Sequence, residues 1–406
     1  MRHAPRRMFG ISILTVVALA GSTTAPLAAH AATTPQCGDI ITTSVTLTGD
    51  LQCVGNGLTV GAHGVTLDLN GHTISGSRTG IGIIAADHND LTIRGGTVTG
   101  FHREILLGYA RNLTVRDLRV IHDADGENDE GIYVDQVEGL AVQDTTFVVT
   151  SASSAMYIDA SVDVRIDDVE VTGGGIGLGM YTDRSSITNS TFQDGNLSLY
   201  DVTKVTISRN TFTRSHLSSF EVSGLLVTGN RFRGGGIHVE ISATVLIRGN
   251  TIQDAEAGVS VRSVAPDLQV VDNALLRNRY GIRMTVDVLA ELSGLTVAGN
   301  TAIGNGAAGI FIEALGRRLA EDPITVSGNR LVGNGFSGTD TDAAGRRIDD
   351  GLHLNMPVGG PVTVTRNHTV ANADFGIEAL PEGSVRDGGG NTSFGNRNGC
   401  AGVRCR

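Results

Sequence analysis

The 406-residue chain contains no Trp and a single Lys, Lys204. The absence of indole leaves any stacking of a ligand ring to the six Tyr. With one Lys, nearly all positive charge is guanidinium, and the formal charge is −11. A chain so acidic has no general attraction for DNA, RNA or an anionic membrane, although a local Arg cluster can still hold a polyanion. Long apolar runs are equally scarce. Phe9–Ala20 stands out, and it is too short and too soon followed by Gly and Thr to span a membrane. Arg2, Arg6 and Arg7 precede that run and Ala29-His30-Ala31 follows it, so residues 1–31 read as a signal peptide and the mature protein as secreted. The Arg6-Arg7 pair admits twin-arginine export, but the general secretory route is the simpler expectation. Losing those three Arg and no acid takes the charge from −11 to −14. Cys is limited to four residues, Cys37 and Cys53 at one end and Cys400 and Cys405 at the other. Two end-localised disulfides fit an oxidising compartment, and neither the Cys nor the scattered His form a zinc-like group.

What the chain does contain is a repeat. Asn210, Asn230, Asn250, Asn273, Asn300, Asn329 and Asn367 each follow a short β-branched run, as in VTISRNTF, LLVTGNRF and ITVSGNRL. Between them runs a second motif: GIHV (236–239), GVSV (258–261), GIRM (281–284), GIFI (309–312) and GLHL (351–354). A period near 20 residues that stretches without slipping phase describes stacked coils, with two short strands and a polar turn in each. Both strand columns continue backwards without the Asn, giving an all-β, single-stranded parallel β-helix, or solenoid, of about 13–14 coils. The spans expected are 32–57 for an N-terminal cap, 58–391 for the helix and 392–406 for a C-terminal cap, with the two disulfides stapling the ends. The Asn column reads as a structural ladder: stacked Asn amides bond along the stack, and Asn tolerates left-handed corners. The Asn spacing is 20 residues up to Asn250 and then swells to 23, 27, 29 and 38. Insertions at 286–294 and 315–323 follow the second strand, while 333–350 and the acidic 122–130 precede it, making that strand's sheet the floor of a groove.

The start CGDIITTSVTLTGDLQC…GLTVGAHGVTLDLNGHTISG and the end FGIEAL…DGGGNTSFGNRNGCAGVRC resemble secreted bacterial right-handed parallel β-helix repeat proteins. These share the pectate-lyase-like superfold and the repeat of carbohydrate-binding and sugar-hydrolysis domains. The resemblance covers the whole mature chain and implies a right-handed coil and a polysaccharide or cell-surface glycan as partner. The superfold hosts lyases, hydrolases, epimerases and non-catalytic adhesins, so the activity has to be read from the site. Neither an NTD…DD…GHG-like set nor an RxPxxR-like stretch is present, which separates the chain from polygalacturonases and pectate lyases.

Outward positions on the groove strand alternate with apolar ones, so Ile132, Val134, Ile158, Val239, Val261 and Ile312 should point inward. The outward pairs then run Tyr133/Asp135, Tyr157/Asp159, Gly177/Gly179, Ser198/Tyr200, Ser219/Glu221, His238/Glu240, Ser260/Arg262, Arg283/Thr285, Phe311/Glu313 and His353/Asn355. Two chemistries follow. In hydrolysis, Glu221 and Glu240 on adjacent coils act as acid and nucleophile or base, since about 5 Å separates parallel neighbours and suits a retaining pair. In β-elimination from a uronic acid, Arg262 or Arg283 serves as base or carboxylate binder, with His238 or Tyr200 as proton donor. Tyr133, Tyr157, Tyr200, Asp135 and Asp159 are the candidate glycan contacts. The facing carboxylates Asp135 and Asp159 repel unless a proton, cation or ligand compensates. Asp123, Asp125 and Asp129 offer hard oxygen ligands for Ca²⁺ without full EF-hand spacing, and Asp340, Asp342, Asp349 and Asp350 form a second acidic group; the chain otherwise needs no cofactor. A non-catalytic glycan-binding or cell-surface solenoid remains the alternative, and a monomer is expected.

Overall fold

The computed structural model describes residues 34–123, 129–263, 266–286, 294–314, 323–358 and 362–406. Segment 1–31 (expected to be a signal peptide), Asp125 and most of the 286–294 and 315–323 insertions lie outside them. The described chain is all β, wound into a parallel solenoid of about 15 turns. That is slightly more than the sequence suggests, because Ile40–Ile41 and Asn398–Ala401 already pair as rungs of the stack.

Each coil carries three strands rather than two. The groove sheet stacks, among others, Ser154–Asp159, Gly175–Leu178, Asn196–Tyr200, Leu217–Phe220, Ile237–Glu240, Ala257–Arg262 and Tyr280–Val286. A second sheet holds the β-branched runs, such as Thr203–Ser208 and Ser223–Thr228. A third holds three-residue strands such as Thr211–Thr213 and Arg231–Arg233. The sequence hides this third strand because it follows the Asn with only a one-residue corner and buries a single side chain per coil. Those side chains stack as Phe192, Phe212 and Phe232, with ring centroids 4.7 and 4.4 Å apart. Every inward residue expected on the groove strand, from Ile132 to Ile312, is buried.

The corners explain the repeat residue by residue. The Asn itself is not the left-handed residue; the position before it is, with φ of 58° at Arg209, 64° at Gly229 and Gly249, and 66° at Gly299. Gly recurs there because it takes that backbone without a Cβ penalty. The Asn turns inward instead. Asn230 Oδ1 accepts from the N–H of Asn210 at 2.9 Å and from its Nδ2 at 3.1 Å, while Asn230 Nδ2 donates to Ile207 O at 2.9 Å. The pattern repeats to Asn391. A second ladder, Asn278, Asn305, Asn334, Asn372 and Asn396, stands five residues further on at the next corner. Its constant N-x₄-N offset is visible in the sequence and was the available signal. Disulfides Cys37–Cys53 and Cys400–Cys405 lie near the two ends.

Candidate functional site

The groove sheet places its outward side chains in register over successive coils. Tyr133 sits opposite Tyr157 and Asp135 opposite Asp159. Their rings are parallel with centroids 6.3 Å apart, and the Arg103 guanidinium covers Tyr133 at 4.5 Å. Asp159 is pushed above the usual carboxylate range by burial and by Asp135, and Asp135 in turn raises the neighbouring Tyr109 hydroxyl. The next coil shows why Gly177 and Gly179 break the polar pattern. A Cβ on Gly177 would meet the Tyr157 ring at 2.6 Å, and one on Gly179 its hydroxyl at 2.3 Å. The glycines therefore leave the Tyr157 ring its bed. A Gly177→Val variant should fold and yet displace that ring, weakening ligand binding at this end by several-fold in calorimetric titration, with no change at the Arg283 end.

One expected pair is corrected. Leu217 pairs with Leu197 and Phe220 with Tyr200, so the outward residues of that coil are Ser218 and Phe220, and Ser219 is buried. Phe220, not Glu221, lies opposite Glu240. Glu221 is the left-handed corner residue after the strand, with φ 55°, equivalent to Asp201 at 49° and Ile241 at 47°. The LSSF segment misleads because its inward positions are Leu and Ser: the run HLSSFEV offers no apolar alternation to fix the phase, and a one-residue slip exchanges the faces. The carboxylate pair proposed for hydrolysis is thereby dissolved.

The remaining members converge. A groove of 460 Å³ is lined by Tyr200, Phe220, His238, Glu240, Arg262 and Arg283, with Ser198, Ser218, Ser260 and Thr285 between them. Tyr200 and Phe220 stack with centroids 5.5 Å apart and a 3° interplanar angle, forming a platform at one end. Glu240 faces Arg262 across one rung, and Ser260 faces Arg283 across the next. Burial, aided by His216 5.3 Å away, holds His238 below the ordinary imidazole range, so it is neutral near pH 7. A neutral imidazole accepts a proton better than it donates one, which turns its expected role around.

The groove continues past Arg283 into a second hollow of 520 Å³ that contains Arg279, Asp340 and Glu313. Its far wall is the loop 335–350. Tyr280, which sequence reasoning did not single out, donates its hydroxyl to Asp340, and Arg279 pairs with the same carboxylate. Tyr280, Phe311, Ile348, Ala257, Ala307 and Ala308 make a small apolar cluster of their own. Behind it, His353 is completely buried, with Nδ1 2.7 Å from Asp350 and 3.0 Å from Glu378, and Nε2 3.2 Å from Asp342. Burial opposes the imidazolium, but these hydrogen bonds prevail and push His353 up to about 10. Asp350 is pushed up to about 6 by burial against the pull of His353. The sign is definite. A His raised from 6.5 stabilises the fold fully below that value and loses the contribution as pH climbs towards 10. Above pH 7 Asp350 is ionised in folded and unfolded chain alike, so the melting temperature should fall between pH 7 and 10. That fall should shrink in a His353→Gln variant.

Of the expected Ca²⁺ ligands, Asp123 takes the Arg78 guanidinium at 2.8 Å and Asp129 lies 2.6 Å from His102. Among the described residues, the groups that gather three ligand atoms within 4.8 Å are Asp350–His353–Glu378 and Asp349–Asp350–Asp374. The expected group Asp340, Asp342, Asp349 and Asp350 is divided: Asp340 holds the loop to Tyr280, and Asp342 pairs with Arg346 within the loop and ties it to His353. Among the described residues no helix is long and apolar enough to cross a membrane.

Three parallel sheets around one core, with a polar groove on one of them, define the class as a parallel β-helix repeat protein. The family description "right handed beta helix region" matches residues 130–275 and 176–349, which together span 130–349, more than half the 406 residues. The chain belongs to that family. No curated protein matches it. Solved structures that the chain matches include a double mutant of the periplasmic alginate epimerase AlgG, 13% identical over 78% of this chain and 76% of that one, with a TM-score of 0.42. A mutant of the PL6-family alginate lyase AlyGC is 12% identical over 87% and 68%, with a TM-score of 0.41. PfbA, a surface adhesin of Streptococcus pneumoniae, is 12% identical over 55% and 82%, with a TM-score of 0.31.

Proposed function

We propose that the protein binds an acidic polysaccharide lengthwise along the groove sheet and removes a proton beside a uronate carboxylate. Tyr133, Tyr157 and the Tyr200–Phe220 platform supply stacking faces for sugar rings. Arg262 and Arg283 hold the carboxylate, and His238 takes the adjacent C–H proton. The electron pair left on carbon is delocalised onto the carboxylate, where the guanidiniums stabilise it. From that carbanion, breaking of the neighbouring C–O bond, with the departing glycosidic oxygen protonated by water, completes an elimination, and delivery of a proton from water to the opposite face completes an epimerisation. In either case the proton taken by His238 returns to solvent. The observation that carries this reading is His238 on the groove floor with Arg262 and Arg283 on the next two coils, where Glu240 has no in-register carboxylate.

The two disulfides favour an extracellular or periplasmic setting. A net charge of −11 gives an acidic polymer no long-range help, so binding must rest on contacts inside the groove. Ca²⁺ bridging Asp135 and Asp159 to a uronate is an additional proposal, tested by adding chelator. The deciding experiment incubates the protein with neutral and uronic polysaccharides, with and without chelator, and follows binding, chain length and unsaturated or epimerised product. Uronic polymers should bind and change. If they bind and remain unchanged, the protein is a glycan-holding solenoid; if neutral polymers bind as well as uronic ones, the arginine assignment fails.

A further inference from the structure

The groove floor changes character abruptly at one coil. From Ser198 to Thr285 its outward side chains are exposed or half-buried, as the pattern of a solvent-facing sheet requires. At the next coils the outward positions Phe311, Glu313 and His353 occupy the same register columns yet are buried. What covers them is the loop 335–350, folded back by an antiparallel bridge between Thr341 and Arg347.

This loop is anchored by three independent kinds of contact. Ile348 packs into the apolar cluster with Tyr280 and Phe311. Glu313 Oε1 accepts the backbone N–H of Ala343 at 2.8 Å and Asn355 Nδ2 at 2.7 Å. Asp342, inside the loop, reaches both Arg346 and the buried His353. A segment tied to the floor by packing, by a buried carboxylate and by a buried His hub is a wall. Nothing comparable covers the floor towards the N-terminal end among the described residues, where Tyr200, Ser198 and Tyr157 remain accessible.

From a floor open at one end and walled at the other, we infer that the groove receives the end of a glycan chain rather than its middle. This rests on the polysaccharide reading above and adds to it the substrate class: the terminal sugar of an acidic chain. That sugar sits in the hollow between Arg283 and Asp340, which the two groove segments share through Arg283 and Thr285. Arg279 and Arg283 face an anionic group there. Asp340 already accepts from Tyr280 and Arg279, and its remaining lone pairs accept from sugar hydroxyls, which mid-chain residues present in fewer number.

The test uses a bound uronic polymer cut to several mean lengths and compared at equal mass. Chain-end recognition makes apparent affinity rise in proportion to the number of ends as the polymer is shortened. Turnover then releases one small product from the outset, with slow loss of viscosity. Asp340→Ala should weaken binding of short oligosaccharides by about tenfold, the loss of a charged hydrogen-bond acceptor, while leaving the Tyr200 end unaltered. Reducing the polymer's aldehyde ends with borohydride shows which end enters. Affinity per unit mass that does not depend on length, or a ladder of products, overturns the chain-end inference and leaves the polysaccharide reading standing. Binding by no polymer overturns both.

Discussion

Asn300→Ala should cost the protein about 2–6 kcal/mol, a large loss for one polar substitution in the stack. Asn300 is fully buried, and its side chain satisfies four other groups. Its Oδ1 accepts from the N–H and Nδ2 of Asn273, each at 3.0 Å, and its Nδ2 donates to Val270 O at 2.8 Å and to Asn329 Oδ1 at 3.0 Å. Alanine removes all four bonds: Asn273 Nδ2 keeps Ile247 O and Val271 O, and Asn329 Oδ1 keeps the backbone N–H of residue 300, so the Asn273 N–H and Val270 O bear the loss in a place water does not reach. Each unsatisfied group costs about 1–3 kcal/mol, and local relaxation recovers only part of the sum. Asn189→Ala provides the control, because Asn189 is exposed at the left-handed corner position, with φ 54°, and its amide bonds to Asp167 near solvent. Chemical denaturation should give a shift in midpoint for Asn300→Ala several times that for Asn189→Ala. Equal shifts would show that the ladder contributes no more than an ordinary surface amide.

His238→Gln should lower turnover by about 10²–10⁴-fold while leaving polymer affinity within a few-fold. Glutamine keeps a polar side chain in the groove and cannot take a proton, so the split between turnover and affinity isolates the proton transfer from glycan contact. The pH profile supplies an independent signature. Because burial and His216 lower the His238 pKa, the wild-type acid limb should lie below 6.5, with activity retained at mildly acidic pH. His216→Ala removes a neighbouring imidazole without entering the groove floor, and should move that limb upward. An acid limb that stays in place when His238 is replaced would assign it to another group and sink the proposal for His238.

How much of this was legible depends on the residue. The ladder and inward columns were readable because β-branched runs mark the strands and each Asn returns at one point of the coil. The third sheet was not, since three residues such as Thr211–Thr213 bury one side chain and give periodicity nothing to count. His238, Glu240, Arg262 and Arg283 fell where the register implied because GIHV, GVSV and GIRM alternate cleanly. Glu221 did not, because LSSF puts Ser219 inward and the phase is lost for one coil. Tyr280 and the wall at 335–350 were beyond reach for another reason. Sequence can place an insertion at a coil edge, but whether it arches over the sheet depends on long-range contacts such as Asp342 with His353.

The direction of the ladder has a consequence for how the chain is assembled. Each Asn offers its N–H and Nδ2 to the side-chain Oδ1 of the Asn one coil later, never the reverse, from Asn210 onwards to Asn391. A coil is therefore left with open valences until its successor closes over it, and the stack has a head and a tail like a zipper. Completion has to come from beyond the last rung. Asn391 O accepts the N–H of Arg406, and Cys405, clasped to Cys400, bridges alongside Asn391. The final few residues take the place that the strand of a successor coil would hold. Shortening the protein by that tail should unzip it from this end, one turn after another, while coils nearer Cys37 persist.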